Sequence, residues 1–527
     1  MVSREGSEAP LGFVVVQAEA SMRASLDALL DRVETLQLHE YPSPVIPSIL
    51  SALERSIRSI ATRFEHRGAT FGGSPLPMEG AASSRAKLRT IHRCSLALRD
   101  LHGFVLRLAR MTQEQRPPWL GEMLGAIIRR HRPEADFGLL FEPQPAAVEY
   151  IYEEVRQDLD TWLDQFFPEG DRDPTLLSGL PKEILVLGYP AAEPQNVLLH
   201  PIFLHEVGHY VTHDLVCRVI DETADVPDMG IPPEDDDDLL AAAKEVDFRW
   251  CWEVASDMFA VRVAGPAYFF GLAHVFNLSA NLNRFDKDHP PASYRLNVLL
   301  EILAGVSGAE NTNHLAHLTG NLKPWLEQIR GMVEEELGLL PNELADKAEQ
   351  TGYPYPALFA RLQAREERMR ELVIALTETD AYIADSPSLQ VKDKLVAQLL
   401  TDIPANEYRV KDAVTGKDRA QPARLPDILN SGYEVLYNRD EELLARFTSA
   451  NGHEANGENS GPVLQEARKR VRQLLVKSFE LNHIQSEFAR IRTIMGTKDE
   501  RAVRGQASGT DGGGGAEEAA GGDAAPG

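Results

Sequence analysis

Leu204-His205-Glu206-Val207-Gly208-His209-Tyr210 brings two imidazoles and a carboxylate together at a spacing that suits metal chemistry. His205 and His209 are four residues apart, so on an α-helix they share one face, roughly 40° apart around the axis. Two imidazoles so placed can share one Zn²⁺ at about 2.0–2.1 Å each. Glu206 projects beside them, where it can take a proton from a water polarised by the metal. Two ordinary hydrogen-bonded histidines on a helix would show the same spacing, so the rest of the chain must supply a third ligand.

That ligand is offered by Trp252-Glu253-Val254-Ala255-Ser256-Asp257, inside a helical pattern over residues 248–263. Two acids four residues apart on a largely apolar helix, with Trp250, Trp252, Met258 and Phe259 around them, call for a partner or a metal. Glu253 can complete a His₂Glu site and leave a fourth position for water. Asp257, one turn on, can accept the outer N–H of a liganding imidazole and fix its tautomer. His213 also lies four residues beyond His209, but its backbone would sit about 12 Å along the axis from that of His205. That is too far for one metal, so His213 is expected to be structural or to support the site from outside. The acidic interval 221–244, with Glu234-Asp235-Asp236-Asp237-Asp238, reads as a solvated loop without the alternating ligand spacing of an EF-hand.

H-E-x-x-H followed on a second helix by E-x-x-x-D resembles the pattern of gluzincin metallopeptidases. His289-Pro290-Pro291-Ala292-Ser293-Tyr294-Arg295 is similar to the H-P-x-x-x-x-R segment that follows these motifs in the HtpX-like and CAAX-prenyl-protease-like members. The resemblance covers His205 to Arg295 only. It implies a zincin-like catalytic core and a zinc-dependent endopeptidase, with His205, His209 and Glu253 as ligands and Glu206 as the base. It further implies that His289 stabilises the tetrahedral intermediate and that Arg295 braces the ligands. An imidazole or guanidinium near a metal can indeed stabilise a developing oxyanion; Tyr294 and Tyr210 are lesser candidates for that role. Those families are typically integral membrane proteins, whereas no clean span of about 20 apolar residues exists here. The nearest stretch, 263–280, contains Pro266, Gly271, His274 and Asn277 and reads as a buried helix. The membrane, the prenylated substrate and the quality-control role are therefore not carried over.

The elements that must position these residues are mostly helical. Apolar residues at helical spacing mark 18–36, 47–65, 83–111 and 118–130, including Met22, Leu26, Leu29, Leu30 and Val33 in the first of them. The Val-rich run 11–17 suits a short strand, as do 136–141 and Glu183-Ile184-Leu185-Val186-Leu187, the last closed by Gly188 and Pro190. A strand just before the motif helix could bind an extended peptide by adding it to a sheet edge. Residues 147–167 read as an amphipathic helix. The motif helix is expected to start near His200-Pro201, where proline's missing N–H costs nothing, and to reach about Cys217 or Ile220. Further helices are expected at 294–306, 315–340, 356–377, 387–400 and 462–495, with an irregular charged connection at 405–423. The Gly/Ala/acidic stretch from 505 onward cannot build a core.

These patterns imply a mainly α (α+β) chain with a small sheet. Residues 1–132 form a helical N-terminal domain, 133–310 the core, 311–500 a C-terminal helical domain and 501–527 a disordered tail. A hydrophobic content of 43% across 527 residues suits a globular protein, and the net charge of −26 argues against nucleic acid or anionic membrane as the main partner. Three scattered cysteines, Cys94, Cys217 and Cys251, make no disulfide framework, and the polar N-terminus shows no signal peptide, so a cytoplasmic location is expected. The expected activity is a soluble zinc-dependent endopeptidase acting on a peptide or protein, with a regulatory protein partner possible through the helical flanks. A different class of function shares the same residues: a helical interaction or scaffold protein with a structural or vestigial zinc site.

Overall fold

The Val-rich run at 11–17, expected as a strand, is helical and belongs to α1 (Glu8–Gln37). Val15 is buried while Val14 and Val16 face solvent, and Met22, Leu26, Leu29, Val33 and Leu36 continue the buried stripe. Steps of three, four and seven residues keep one face of a helix against the core; a strand would alternate. Periodicity over the whole helix outweighs the local preference of three β-branched residues.

The computed structural model of the chain describes residues 8–39, 41, 43, 45–67, 81–111, 118–144, 149–153, 155–167, 172–190, 196–223, 237–277, 286–305, 354–379, 381–382, 387–411, 415–451 and 460–507. After α1 come α2 (Val45–Arg67), α3 (Ala81–Met111), α4 (Pro118–His131), β1 (Phe137–Gln144), β2 (Glu149–Glu153), α5 (Val155–Phe166) and β3 (Glu183–Pro190). The site-bearing stretch follows as α6 (Ile202–Glu222), α7 (Asp237–Ala264), α8 (Pro266–Asn277) and α9 (Ala292–Gly305). Then come α10 (Tyr355–Leu376), α11 (Pro387–Leu400), β4 (Glu407–Lys411), β5 (Asp418–Pro422), α12 (Leu425–Tyr433), α13 (Asp440–Asn451) and α14 (Ser460–Ala507). The described chain is mainly helical, as the periodicity predicts.

A three-stranded sheet in the order β1-β3-β2 divides two hydrophobic cores. β1 pairs with β3 in parallel, Leu139 opposite Leu185 and Phe141 opposite Leu187; β2 pairs with β3 antiparallel. Side chains alternate across a pleated sheet. Accordingly Leu139, Phe141, Leu185 and Leu187 face the core that holds α6 and α7, while Leu140, Ile184 and Val186 face the core of α1–α3 and α5. Burial on both faces explains the unbroken apolar run of β3 and its central place. Both of its edges are therefore occupied, which rules β3 out as the strand that takes up a peptide; β1 and β2 hold the sheet's edges.

Other expectations need correction. Residues 147–167 are not one helix: β2 takes the Tyr-Ile-Tyr piece because it can pair with β3, and only α5 is helical. The connection at 405–423 is a β4–β5 hairpin, with Glu407 opposite Pro422 and Lys411 opposite Asp418. Its strands lack an apolar face to announce them, β5 being solvent-exposed throughout. The acidic interval is helical at both ends, with α6 reaching Glu222 and α7 starting at Asp237; residues 224–236 lie outside the described residues. So do the helix expected at 315–340 and the tail from 508, whereas 501–507, expected to begin the disordered tail, belong to α14.

α7 and α8 are separated by Gly265, whose φ of 67° is the left-handed conformation that ends a helix. Asn430 of α12 spans the break, its side-chain amide donating to Ala264 O at 2.7 Å and accepting from Ala267 N at 2.8 Å. Among the described residues no helix is long and apolar enough to cross a membrane. α10 ties together the helices that carry the chemistry. Buried Arg365 donates to Asp247 of α7 at 2.7 Å and to Thr223 Oγ1, just past α6, at 2.9 Å. Arg361 adds a 2.9 Å bond to Asp247, and Glu366 accepts from Tyr294 of α9 at 2.6 Å.

Candidate metal centre

The chain enters α6 through a buried turn at Val197–Leu199, with Pro201 at the N-cap as its missing N–H allows. α6 packs on α7 at unusually short range because Gly208 lies at the crossing. A Cβ built on Gly208 would stand 2.9 Å from both Cα and O of Ser256. With no side chain in between, the imidazoles of α6 reach the carboxylates of α7 directly.

His205, His209 and Glu253, all buried, bring their donor atoms within 4.8 Å of one another. His205 Nε2 is 3.3 Å from Glu253 Oε2, and His209 Nε2 is 3.1 Å from Glu253 Oε1. Donors around a tetrahedral zinc with bonds of about 2.0–2.1 Å would be roughly 3.3 Å apart. The donor set is therefore already at ligand spacing. Glu253 Oε2 makes no well-directed hydrogen bond, although Arg295 Nη1 is 2.9 Å away, so it keeps unmet acceptor capacity in a buried place.

Each imidazole is held from its far side by α7. Asp257 Oδ1 lies 2.9 Å from His205 Nδ1, a close electrostatic contact whose direction is off the ring N–H axis. Ser256 Oγ lies 3.1 Å from His209 Nδ1, and Trp252 Nε1 donates to the His209 carbonyl at 2.6 Å. Arg295 of α9 grips Asp257 with two bonds, Nε to Oδ2 at 2.6 Å and Nη2 to Oδ1 at 2.8 Å. The hydroxyl of Tyr268, on α8, also donates to Asp257. Ser256, Tyr268 and Gly208 carry no motif signal of their own; only a glycine or hydroxyl in the middle of a buried helix hints at them.

The electrostatics follow from this packing. Burial would raise the Asp257 carboxyl, but Arg295 and His205 outweigh it and hold it down at about 2. Glu253 is likewise held well below the usual range, Arg295 and the two imidazoles overcoming burial. Burial would lower His205, yet Glu253 and Asp257 raise it to about 10. Glu206 differs: burial pushes its carboxyl up, opposed by His205 and His209, and among the described residues it has no hydrogen-bond or ion-pair partner. With His205 protonated, Glu253 and Asp257 are balanced by Arg295 and His205; once His205 gives up that proton to act as a ligand, the cluster carries a net negative charge, which grows when Glu206 ionises. A divalent cation on the His₂Glu donors would balance that charge, so the residues present fit a metal ion.

His289 stands beside the donor cluster, 53% of its side chain exposed, with Nε2 3.8 Å from Glu253 Oε1 and Nδ1 3.6 Å from Asp286. Two other expected contributors are turned elsewhere. Tyr294 donates to Glu366, and Tyr210 donates to Glu183 of β3, so neither hydroxyl is free for an oxyanion. His213 is half-exposed and packs its ring on Phe248 and Trp252, outside the donor cluster, as helix geometry requires. Comparison with known proteins adds nothing to this geometry: no protein-family model, no curated protein and no solved structure matches the chain.

Proposed function

We propose that the chain is a soluble, cytoplasmic, zinc-dependent endopeptidase with a zincin-like core, hydrolysing peptide bonds in a peptide or protein substrate. The observation that carries this reading is the buried trio His205, His209 and Glu253 at ligand spacing with Glu206, unpaired among the described residues, beside it. These three side chains would hold Zn²⁺, which when bound supplies a Lewis acid for the scissile carbonyl and acidifies water at the site. Glu206 takes the proton of the attacking water and passes it to the leaving amine; its raised pKa moves it toward the range where a carboxylate does both. Arg295 is committed to Asp257 and Glu253 and serves to hold the carboxylates in place. His289 takes the role of donor to the tetrahedral oxyanion, a reading supported by its partly exposed ring 3.8 Å from Glu253 Oε1. Glu206→Gln tests the mechanism: it should retain one equivalent of zinc and lose hydrolysis. Unchanged peptide cleavage by that variant refutes it.

A second reading, an interaction protein with a structural zinc, is favoured by the depth of the site, since His205, Glu206, His209 and Glu253 are all buried. The helical flanks would then hold a protein partner. Purified chain whose zinc accepts no exogenous ligand, such as a hydroxamate, supports this reading against the peptidase.

A further inference from the structure

We infer that Ser256 and Thr212 form a hydroxyl relay that sets the tautomer of His209 and thereby its readiness to bind a metal through Nε2. This rests on the metal reading of the site and assigns a positioning role to two residues outside the donor set.

Each of the two hydroxyls carries a single proton to donate. Thr212 Oγ1 is 2.8 Å from the carbonyl O of Gly208, four residues back on α6, so its single proton is committed there. Thr212 Oγ1 also lies 3.5 Å from Ser256 Oγ, and with its own proton spent it can only accept in that contact. Ser256 then donates toward Thr212, which leaves its lone pairs facing His209 Nδ1 at 3.1 Å. A proton on Nδ1 of the imidazole completes the chain, and Nε2, 3.1 Å from Glu253 Oε1, then turns its lone pair toward the position a metal would take. Reversing the Ser256 hydroxyl would put the proton on Nε2, where it competes with a metal. Both hydroxyl residues are fully buried, so water does not blur the choice.

The relay also shows a division of labour along α7. Counting from Glu253, Ser256 one turn on serves His209, and Asp257, the next residue, serves His205. One imidazole is oriented by a charged partner and the other by a neutral one whose direction depends on Thr212. The close α6–α7 crossing at Gly208 makes this reach possible, because Ser256 presents its backbone directly to that glycine.

The test uses the full chain, chelator competition for zinc affinity, and long-range ¹H–¹⁵N spectra of histidine-labelled protein for the tautomer. Ser256→Ala should weaken zinc binding by about 10–100-fold, the usual effect of losing a partner that orients a liganding imidazole. Thr212→Val, which is nearly isosteric, should weaken it less, by freeing the Ser256 proton to turn toward Nδ1. The double variant should bind zinc no more weakly than Ser256→Ala alone, because Thr212 acts only through Ser256. In the metal-free parent chain the spectra of neutral His209 should show its proton on Nδ1, and Ser256→Ala should shift that proton toward Nε2. Parent-like affinity in folded Ser256→Ala, or strictly additive losses in the double variant, overturns the relay while leaving the metal site standing. A parent chain that takes up no zinc overturns both. Should Ser256→Ala fail to fold, Thr212→Val and the parent spectra still decide, and an Nε2 proton on neutral His209 in the metal-free parent chain refutes the relay.

Discussion

Gly208→Ala separates the geometry of the metal centre from the stability of the helices that carry it. The new methyl carbon would start 2.9 Å from Ser256 Cα and O and 3.1 Å from its Cβ. Carbon atoms sit comfortably at about 3.5–4.0 Å, and two of the three obstructing atoms are backbone, so the helices must part by roughly 0.5–1 Å. Overpacking of this kind costs about 1–3 kcal/mol. Replacing a helix-interior glycine by alanine returns about 1 kcal/mol of propensity, so the net loss of stability is only about 0–2 kcal/mol. The donors fare worse. The gaps of 3.1 and 3.3 Å between imidazole and carboxylate would widen by a similar 0.5–1 Å, well beyond the roughly 0.2 Å that ligand distances tolerate. Urea unfolding of the metal-free protein should therefore show a small change, and chelator competition a large loss of zinc affinity. A Gly208→Ala chain that is about 1 kcal/mol more stable than the parent and binds zinc equally well would refute the close crossing.

Three further outcomes follow from buried charge. Arg365→Met leaves Asp247 with Arg361 as its remaining cation and removes the bond to Thr223, so urea unfolding should show a loss of about 3 kcal/mol, the lower end for breaking a buried pair; a neutral result would mean that α10 does not clamp α6 and α7. Because Glu253 and Asp257 raise His205 to about 10 in the metal-free chain, zinc binding at pH 8 should release close to one proton from it, seen as a buffer-dependent enthalpy in calorimetry. For the same reason, the stability that protonated His205 lends the metal-free chain is complete below its unfolded value of about 6.5 and disappears as pH rises through about 10. A binding enthalpy independent of buffer would show that His205 is already neutral.

Much of the helical framework is legible in the residue order. α3, α4 and α11 lie close to where apolar spacing predicts them, because each keeps one continuous face against the core. The strands are harder. β2 and the β4–β5 hairpin exist because a partner strand completes their hydrogen bonds, and nothing within five residues such as Asp418–Pro422 announces that partner. The valines of α1 mislead for the opposite reason, since their local preference for extended chain is overridden by a stripe that continues to Leu36.

At the centre itself, the spacing of His205 to His209 and of Glu253 to Asp257 was readable because it is internal to one helix, where 3.6 residues per turn fixes which side chains share a face. The distance between the two helices is not a local quantity. It depends on Gly208 meeting the backbone of Ser256 and on Arg295 and Tyr268 converging on Asp257 from α9 and α8. α10 adds its grip on α6, α7 and α9 from about fifty or more residues further along the chain. Residue types and helical spacing thus name the donors, while packing between helices determines whether those donors come within reach of one ion.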